Sequence, residues 1–404
     1  MGPAKFAAIK SDSSKQRAWS WRRKTTASPS ADPIGSIEPN KDEARAPRRR
    51  LQSLDALRGL TILLMLLVNN IALDEATPGQ LVHAKWNGGV HLADLVFPWF
   101  LFCMGLAVPF SVEGMIARGM SLWARLGKIS WRALALFMLG CLIVSAEAWR
   151  PILSLDVLQL LGLAFLFGAL IYPVRWQMRV LIAAVLLTGY GLALTLIPLP
   201  PHGQPAFEET HNLVRHVNEH FLARFNLTGL LSVVPTTALV LIGATFTNAL
   251  RTDRSDKWKI GLLVGVGLGL CGLGIAWNEV LPYNKTVWTP SYILLSAGLG
   301  AILLAGLYWV LDVRGWRWWA FPLLVYGSNA LAAYVFPVLV KVVILQRVKI
   351  DFHGARYSIQ NAWLHLFIDP MGRYAGGWAY TFSYMLVVWL ILLFLYRKKW
   401  FLRV

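Results

Sequence analysis

Hydrophobic positions in this chain come in long, nearly uninterrupted runs. Neither the alternation of a half-buried strand nor the one-faced stripe of a surface helix dominates. From Leu54 onward, apolar stretches of about 18–25 residues recur, each long enough to cross a bilayer as a helix. They fall near 54–73, 92–113, 126–147, 153–173, 176–198, 229–250, 258–278, 289–310, 320–345 and 376–396. The long interruptions are near 199–228 and 346–375. The pattern predicts an all-α, polytopic transmembrane bundle of about ten spans over residues 51–404. Residues 1–50 are polar and rich in Ser, Pro, Lys and Arg, and read as a disordered basic tail. Its stretch KQRAWSWRRK carries basic and aromatic residues suited to anionic lipid.

Charge sets the expected orientation. One set of loops holds Arg118, Arg125 and Lys128, then Arg175 and Arg179, then Arg251, Arg254, Lys257 and Lys259. Arg314 and Arg317 follow, and the chain closes on Arg397, Lys398, Lys399 and Arg403. The alternate short loops are poor in basic residues. Placing the basic set in the cytoplasm puts both termini there and turns the loops near 74–91, 148–152, 199–228, 279–288 and 346–375 outward.

Composition supports this class. Of 404 residues, 56% are hydrophobic and 15% charged, well below the quarter or so usual in soluble domains. A net charge of +18 could indicate a nucleic-acid partner, but the basic residues sit in a tail and in short loops between apolar runs. The partner expected is therefore the lipid bilayer and not nucleic acid. Cys103, Cys141 and Cys271 each lie inside an apolar run, so no disulfide framework is indicated.

Polar residues in or beside a membrane are costly and invite a functional reading. They are densest between the first two spans. Asn69 ends the first run, His83 follows in the loop with Trp86 and Asn87, and Asp94 and Trp99 open the next run. An imidazole titrates near neutral pH, so His83 can take and return a proton or be acylated. An Asn amide such as that of Asn69 can donate to an oxyanion. Asp94 can equally be a carboxylate at the positive end of a helix. Pro98 is expected to bend that helix, and His91 is expected to be a bystander.

The order LDALRG, VNN, LVHAKWNG, ADLVFPWFLFCMG, LGKISWRA, VLQLLG, YNKTVWTPSY and YGSNALAAY, spread over residues 51–404, resembles the heparan-alpha-glucosaminide N-acetyltransferase family. These are transmembrane acetyltransferases with bacterial relatives. The resemblance implies acetyl-CoA as donor and an amino-sugar-like acceptor on the extracytoplasmic side, in an integral membrane protein of a bacterial inner membrane. It places the family's active-site histidine on His83 and its catalytic asparagine on Asn69. This chain departs from the family where Leu160 follows Gln159, a position often held by Arg, and where Asn226–Gly229 replaces an acidic stretch.

Further candidates surround that core. Asn284, Lys285 and Trp288 lie in an outer loop, where a cation could meet phosphate and a ring could stack on a sugar or adenine. Gln159 and Asn329 are polar residues within apolar runs. Asn329 is expected near mid-membrane, either bonding helix to helix or walling a ligand tunnel. Asp55 and Arg58 are expected to pair. His202, His211, His216 and His220 crowd one outer loop, and Glu208 to Arg224 reads as an amphipathic surface helix. Without an HExxH pattern or a cysteine there, no metal is expected. A sugar permease is the alternative function, and homo-oligomerisation stays open.

Overall fold

The structure, a computed structural model, describes residues 51–200 and 203–402. The expected N-terminal tail and His202 lie outside the described residues.

Every predicted apolar run is helical. The helices are α1 (Gln52–Asn70), α2 (Leu92–Ala117), α3 (Leu122–Ala148), α4 (Val157–Ile171), α5 (Trp176–Leu196) and a short α6 (Leu213–Val217). There follow α7 (Val233–Leu250), α8 (Asp256–Asn278), α9 (Pro290–Leu307), α10 (Phe321–Ser328), α11 (Ala330–Val340) and α12 (Ile359–Arg397). A hairpin of β1 (Lys349–Phe352) and β2 (Ala355–Ser358) precedes α12, the one strand pair of an otherwise helical fold among the described residues.

Among the described residues, eight helices are long and apolar enough to cross a membrane, and α10 with α11 forms one bent pair. Four of the eight leave broad apolar faces uncovered, among them α12 with Phe382, Leu386, Leu390 and Phe394 exposed. Trp123, Leu134 and Leu142 on α3, Leu181, Val185 and Leu192 on α5, and Leu268, Leu273 and Ile275 on α8 are all exposed. In water a surface of this size would drive association. Against lipid it is the expected outer face, and helical hydrogen bonding satisfies the backbone there. The protein is an integral membrane protein.

Several expected spans differ in form. The run near 153–173 is helical over 15 residues, since the chain leaves α3 through Trp149 at φ 54° and starts α4 after Asp156. The run near 320–345 is bent by 68°. Asn329 sits at that bend with φ −128° and ψ 44°. Its amide donates to the Trp400 carbonyl at 2.8 Å and accepts from Leu402 N–H at 2.9 Å. Asn329 therefore ties α10 to the C-terminal segment. The last element, Ile359–Arg397, is two helices joined at a kink at Gly372 (φ 77°, ψ 168°): the second carries the run expected near 376–396, and the first, from Ile359, was not expected. Of the expected helix over 208–224, residues 213–224 are helical without a break, with changing hydrogen-bond spacing along it, whereas 208–212 are not helical. Pro98 and Pro109 are both accommodated within an unbroken α2.

Close helix approach depends on missing side chains. On α1, a Cβ at Gly59 would overlap the Leu323 carbonyl of α10, and one at Gly327 would overlap the Asp55 carbonyl. Small residues at such crossings let backbones meet in lipid. Nearby, Arg58 pairs with Asp55 at 3.6 Å, as expected.

The loops sort into two ends of the bundle. At one end, Asp312 accepts from the first N–H groups of α1, Tyr308 reaches Asp256, and Arg251 pairs with Glu113. These contacts gather the basic loops. At the other end, the segments around 83–89, 155–157, 229–232 and 283–288 surround one cavity. Lys341 reaches Asn70 there, and Arg347 lies over Trp149.

Candidate functional site

The first cavity, of about 440 Å³, lies at the end of the bundle opposite the basic loops. His83 and Asp94 are its centre. Asp94 is the third residue of α2, where the helix N-terminus offers unpaired N–H groups. One of its oxygens accepts from the backbone N–H of Ala84 and of His91, both at 3.1 Å. The other lies 2.9 Å from His83 Nδ1. Asp94 is 2% exposed, so its charge sits in a largely desolvated position and needs these donors. An ionised carboxylate only accepts, so in the neutral ring the proton sits on His83 Nδ1 and Nε2 carries the lone pair.

His91 is no bystander. It caps α2, and its ring contacts the Val82 carbonyl at 2.8 Å, bracing the loop that carries His83.

Lys285 completes the cluster. Its ammonium lies 3.0 Å from Nδ1 and 3.2 Å from Nε2 of His83, and 3.8 Å from the Asp94 carboxylate. With Nδ1 donating to Asp94, Nε2 is the ring nitrogen able to accept from this ammonium. Burial pushes the Lys285 ammonium below the ordinary lysine range, and the Asp94 carboxylate opposes that shift.

The other candidates divide. Trp86 and Trp288 line this cavity. Trp288 is buried, its ring edge-on to Phe97 at 5.4 Å and Tyr292 at 5.8 Å. Tyr292 in turn donates to the Asp94 carbonyl. Asn284 lines the cavity, yet its side-chain oxygen accepts from Thr286 and Val287 N–H at 2.9 and 3.2 Å. Its amide approaches Asn87 at 3.4 Å, so Asn284 and Asn87 join the two loops. Trp99 is buried behind the cavity and donates to the Ser296 carbonyl at 3.1 Å. Gln159 is fully buried against Gly140, with its Nε2 3.7 Å from Cys141 Sγ. Its neighbour Leu160 is the one that faces the cavity.

Asn69 is not brought to His83. It lines a second cavity of about 470 Å³, with Asn70, Glu147, Trp149, Tyr334, Lys341 and Arg347 among its walls. The reason is local: α1 ends at Asn70, and the chain travels through residues 71–82 before His83. Sequence reading missed Asp156 and Ser232 in the first cavity and Glu147 and Lys341 in the second. The last two had a signal, being charged residues at the ends of apolar runs.

His216 and His220 share one face, with ring centroids 4.2 Å apart. Among the described residues, no group of three or more His, Cys, Asp or Glu is placed to hold a metal.

Comparison with known proteins bears on this geometry. Residues 50–214 match a family described as a domain of unknown function, DUF5009. The chain is 28% identical to the heparan-alpha-glucosaminide N-acetyltransferase of Homo sapiens, over 75% of this chain and 55% of that protein. It is 27% identical to the Mus musculus protein of the same name, over 76% and 56%. The chain spans about half the length of these relatives. The matched family segment includes the loop that holds His83 and the turn of α2 that holds Asp94.

Proposed function

We propose that this membrane protein transfers an acetyl group from acetyl-CoA to the amine of an amino sugar, with His83 as general base. One observation carries the reading: His83 Nδ1 is tied to buried Asp94 at 2.9 Å, which frees Nε2 to take a proton. The relatives' name supports an N-acetyltransferase. The carboxylate–imidazole pair supports it independently, because it is the arrangement that orients a base toward a nucleophile.

In the proposed step, the neutral acceptor amine attacks the thioester carbonyl. The N–C bond forms as His83 Nε2 takes the amine proton, and the developing oxyanion is met by the Lys285 ammonium. Collapse breaks the C–S bond, and the proton held on His83 passes to the departing CoA thiolate. Lys285 thus takes the polarising role that the sequence suggested for Asn69, since Asn69 lines the other cavity. Lys85, also on the first cavity's wall, adds a cation suited to the donor's phosphates. The basic loops gather at the far end, so the positive-inside rule supports an active site facing away from the cytoplasm, in a bacterial inner membrane with both termini inside.

The test is purified protein in detergent, labelled acetyl-CoA and glucosamine. Acetylglucosamine should form with the wild type and be lost with His83→Ala. Accumulation of glucosamine in vesicles without acetyl-CoA, and with no acetylated product, would replace this reading with transport.

A further inference from the structure

The second cavity is unused by the chemistry above. It lies where apolar helices end: α1 stops at Asn70 and α3 at Ala148, and both supply its walls. One turn or so further into the bundle its wall is apolar, with Met65 and Leu66 of α1 and Pro337 and Val338 of α11. Its charged residues stand at the helix ends. Glu147 is in the last turn of α3, Lys341 opens the π-helical turn Lys341–Leu345 after α11, and Arg347 precedes β1. The same segments carry exposed apolar residues, Leu142 on α3 and Val343 and Ile344 in the turn. Charge at the rim, with hydrocarbon below and beside it, is the layering of a phospholipid in its leaflet.

Three groups at the rim await a ligand. The Lys341 ammonium donates to Asn70 Oδ1 at 3.0 Å and to the Asn69 carbonyl at 3.3 Å, which leaves one of its three donors. The Arg347 guanidinium lies 4.2 Å over the Trp149 ring, a contact that seats it without using its N–H groups. Trp149 ends α3 in the left-handed region at φ 54°, a conformation rare for so bulky a residue and one kept more often at functional sites. Glu147 is exposed, lies within electrostatic reach of Lys341, and has no hydrogen bond or ion pair among the described residues.

These groups select a headgroup. A phosphate diester satisfies Lys341 and Arg347, but alone it sets its charge against Glu147. A primary ammonium two carbons from that phosphate meets the carboxylate with N–H donors. A trimethylammonium brings the charge without a donor, and a glycerol headgroup brings no positive charge.

We propose that the second cavity binds a phospholipid with a primary-amine headgroup. Arg347 and Lys341 hold its phosphate, Glu147 holds its ammonium, and its acyl chains run along the exposed apolar residues of α3 and of the turn after α11. The lipid takes no part in acetyl transfer, and the inference does not rest on that reading.

The experiment is native mass spectrometry of the full chain, delipidated in detergent and titrated with phosphatidylethanolamine, phosphatidylcholine and phosphatidylglycerol of the same acyl chains. Wild type should bind phosphatidylethanolamine at least about tenfold more tightly than either other lipid, the scale of one charged hydrogen bond. Glu147→Gln should remove that preference over phosphatidylglycerol. Arg347→Gln should weaken phosphatidylethanolamine and phosphatidylglycerol alike, by about tenfold or more. Soluble glycerophosphoethanolamine, which has the headgroup without the chains, should compete only at concentrations at least about a hundredfold higher, since buried methylenes are worth about 0.8 kcal/mol each. Size-exclusion profile and melting temperature confirm that each variant is folded.

Equal affinity for the three lipids, wild-type binding by both variants, or no lipid bound by folded wild type would each overturn the site. Competition by glycerophosphoethanolamine at matched concentration would overturn the lipid and point to a soluble phosphoamine.

Discussion

His83 Nδ1 and Asp94 Oδ1 stand 2.9 Å apart, with the histidine on a loop and the aspartate in the first turn of α2. The carboxylate is 2% exposed, whereas the imidazole side chain is 51% exposed. A buried acceptor thus orients a half-exposed ring whose other nitrogen faces the Lys285 ammonium at 3.2 Å.

The first prediction follows from that orientation. In Asp94→Asn, the amide can present a donor to His83 Nδ1, which favours the wrong tautomer. Acetyl transfer should fall by at least about a hundredfold, in line with the large cost of losing the tautomer-setting acid in a triad. Acetyl-CoA affinity, read by calorimetry, should change far less. Transfer at wild-type rate in a folded variant would show that Asp94 only caps the helix.

Asp94→Ala should also be less stable than Asp94→Asn. The alanine leaves the Ala84 and His91 N–H groups without their acceptor. Such losses cost roughly 1–3 kcal/mol when the donors are buried and left unpaired. Thermal unfolding of the two variants side by side checks the order, and equal melting temperatures would contradict it.

Lys285 supplies a pH dependence. Burial depresses its pKa in the folded protein relative to the ordinary lysine value of 10.5. Between the folded and unfolded values, the unfolded chain binds more protons, so stability rises with pH. The penalty for the buried ammonium is fully present below the folded pKa and is relieved as pH climbs through it toward 10.5. Lys285→Met should remove this rise. Melting temperatures of wild type and variant from pH 7 upward should therefore converge, and parallel curves would disprove the assignment.

The bundle was legible because apolar runs of membrane length are hard to mistake. Asn329 shows what such runs hide. Its apolar neighbours read as one continuous span, while its own side chain bonds the Trp400 and Leu402 backbone some seventy residues away. No local pattern encodes that contact. The site was partly legible for a similar reason. His83 and Asp94 lie eleven residues apart in one loop–helix unit, so their nearness is local. Lys285 reaches them across 202 residues of chain, and its motif alone left a lone interfacial lysine equally plausible. Asn69 was drawn to His83 by proximity in sequence, but the chain between them leads into a different cavity.

The last prediction concerns the direction the site faces. Contacts among Asp312, Gln52, Asp256 and Tyr308 hold the basic loops at one end, and the His83 cavity opens at the other. The basic end is expected in the cytoplasm. Thr210 lies in a loop joined to the His83 end through Leu213, Leu281 and Val287, which share one apolar cluster. Asp253 lies between α7 and α8 beside Arg251, at the basic end. Single cysteines at these two positions, in a background without Cys103, Cys141 and Cys271, report the two faces. A membrane-impermeant maleimide applied to intact cells should label Thr210→Cys and should reach Asp253→Cys only after the membrane is opened. Labelling of both from one face would break the two-ended arrangement. Labelling of Asp253→Cys alone would keep the bundle and invert it, and His83 would then meet acetyl-CoA on the cytoplasmic side.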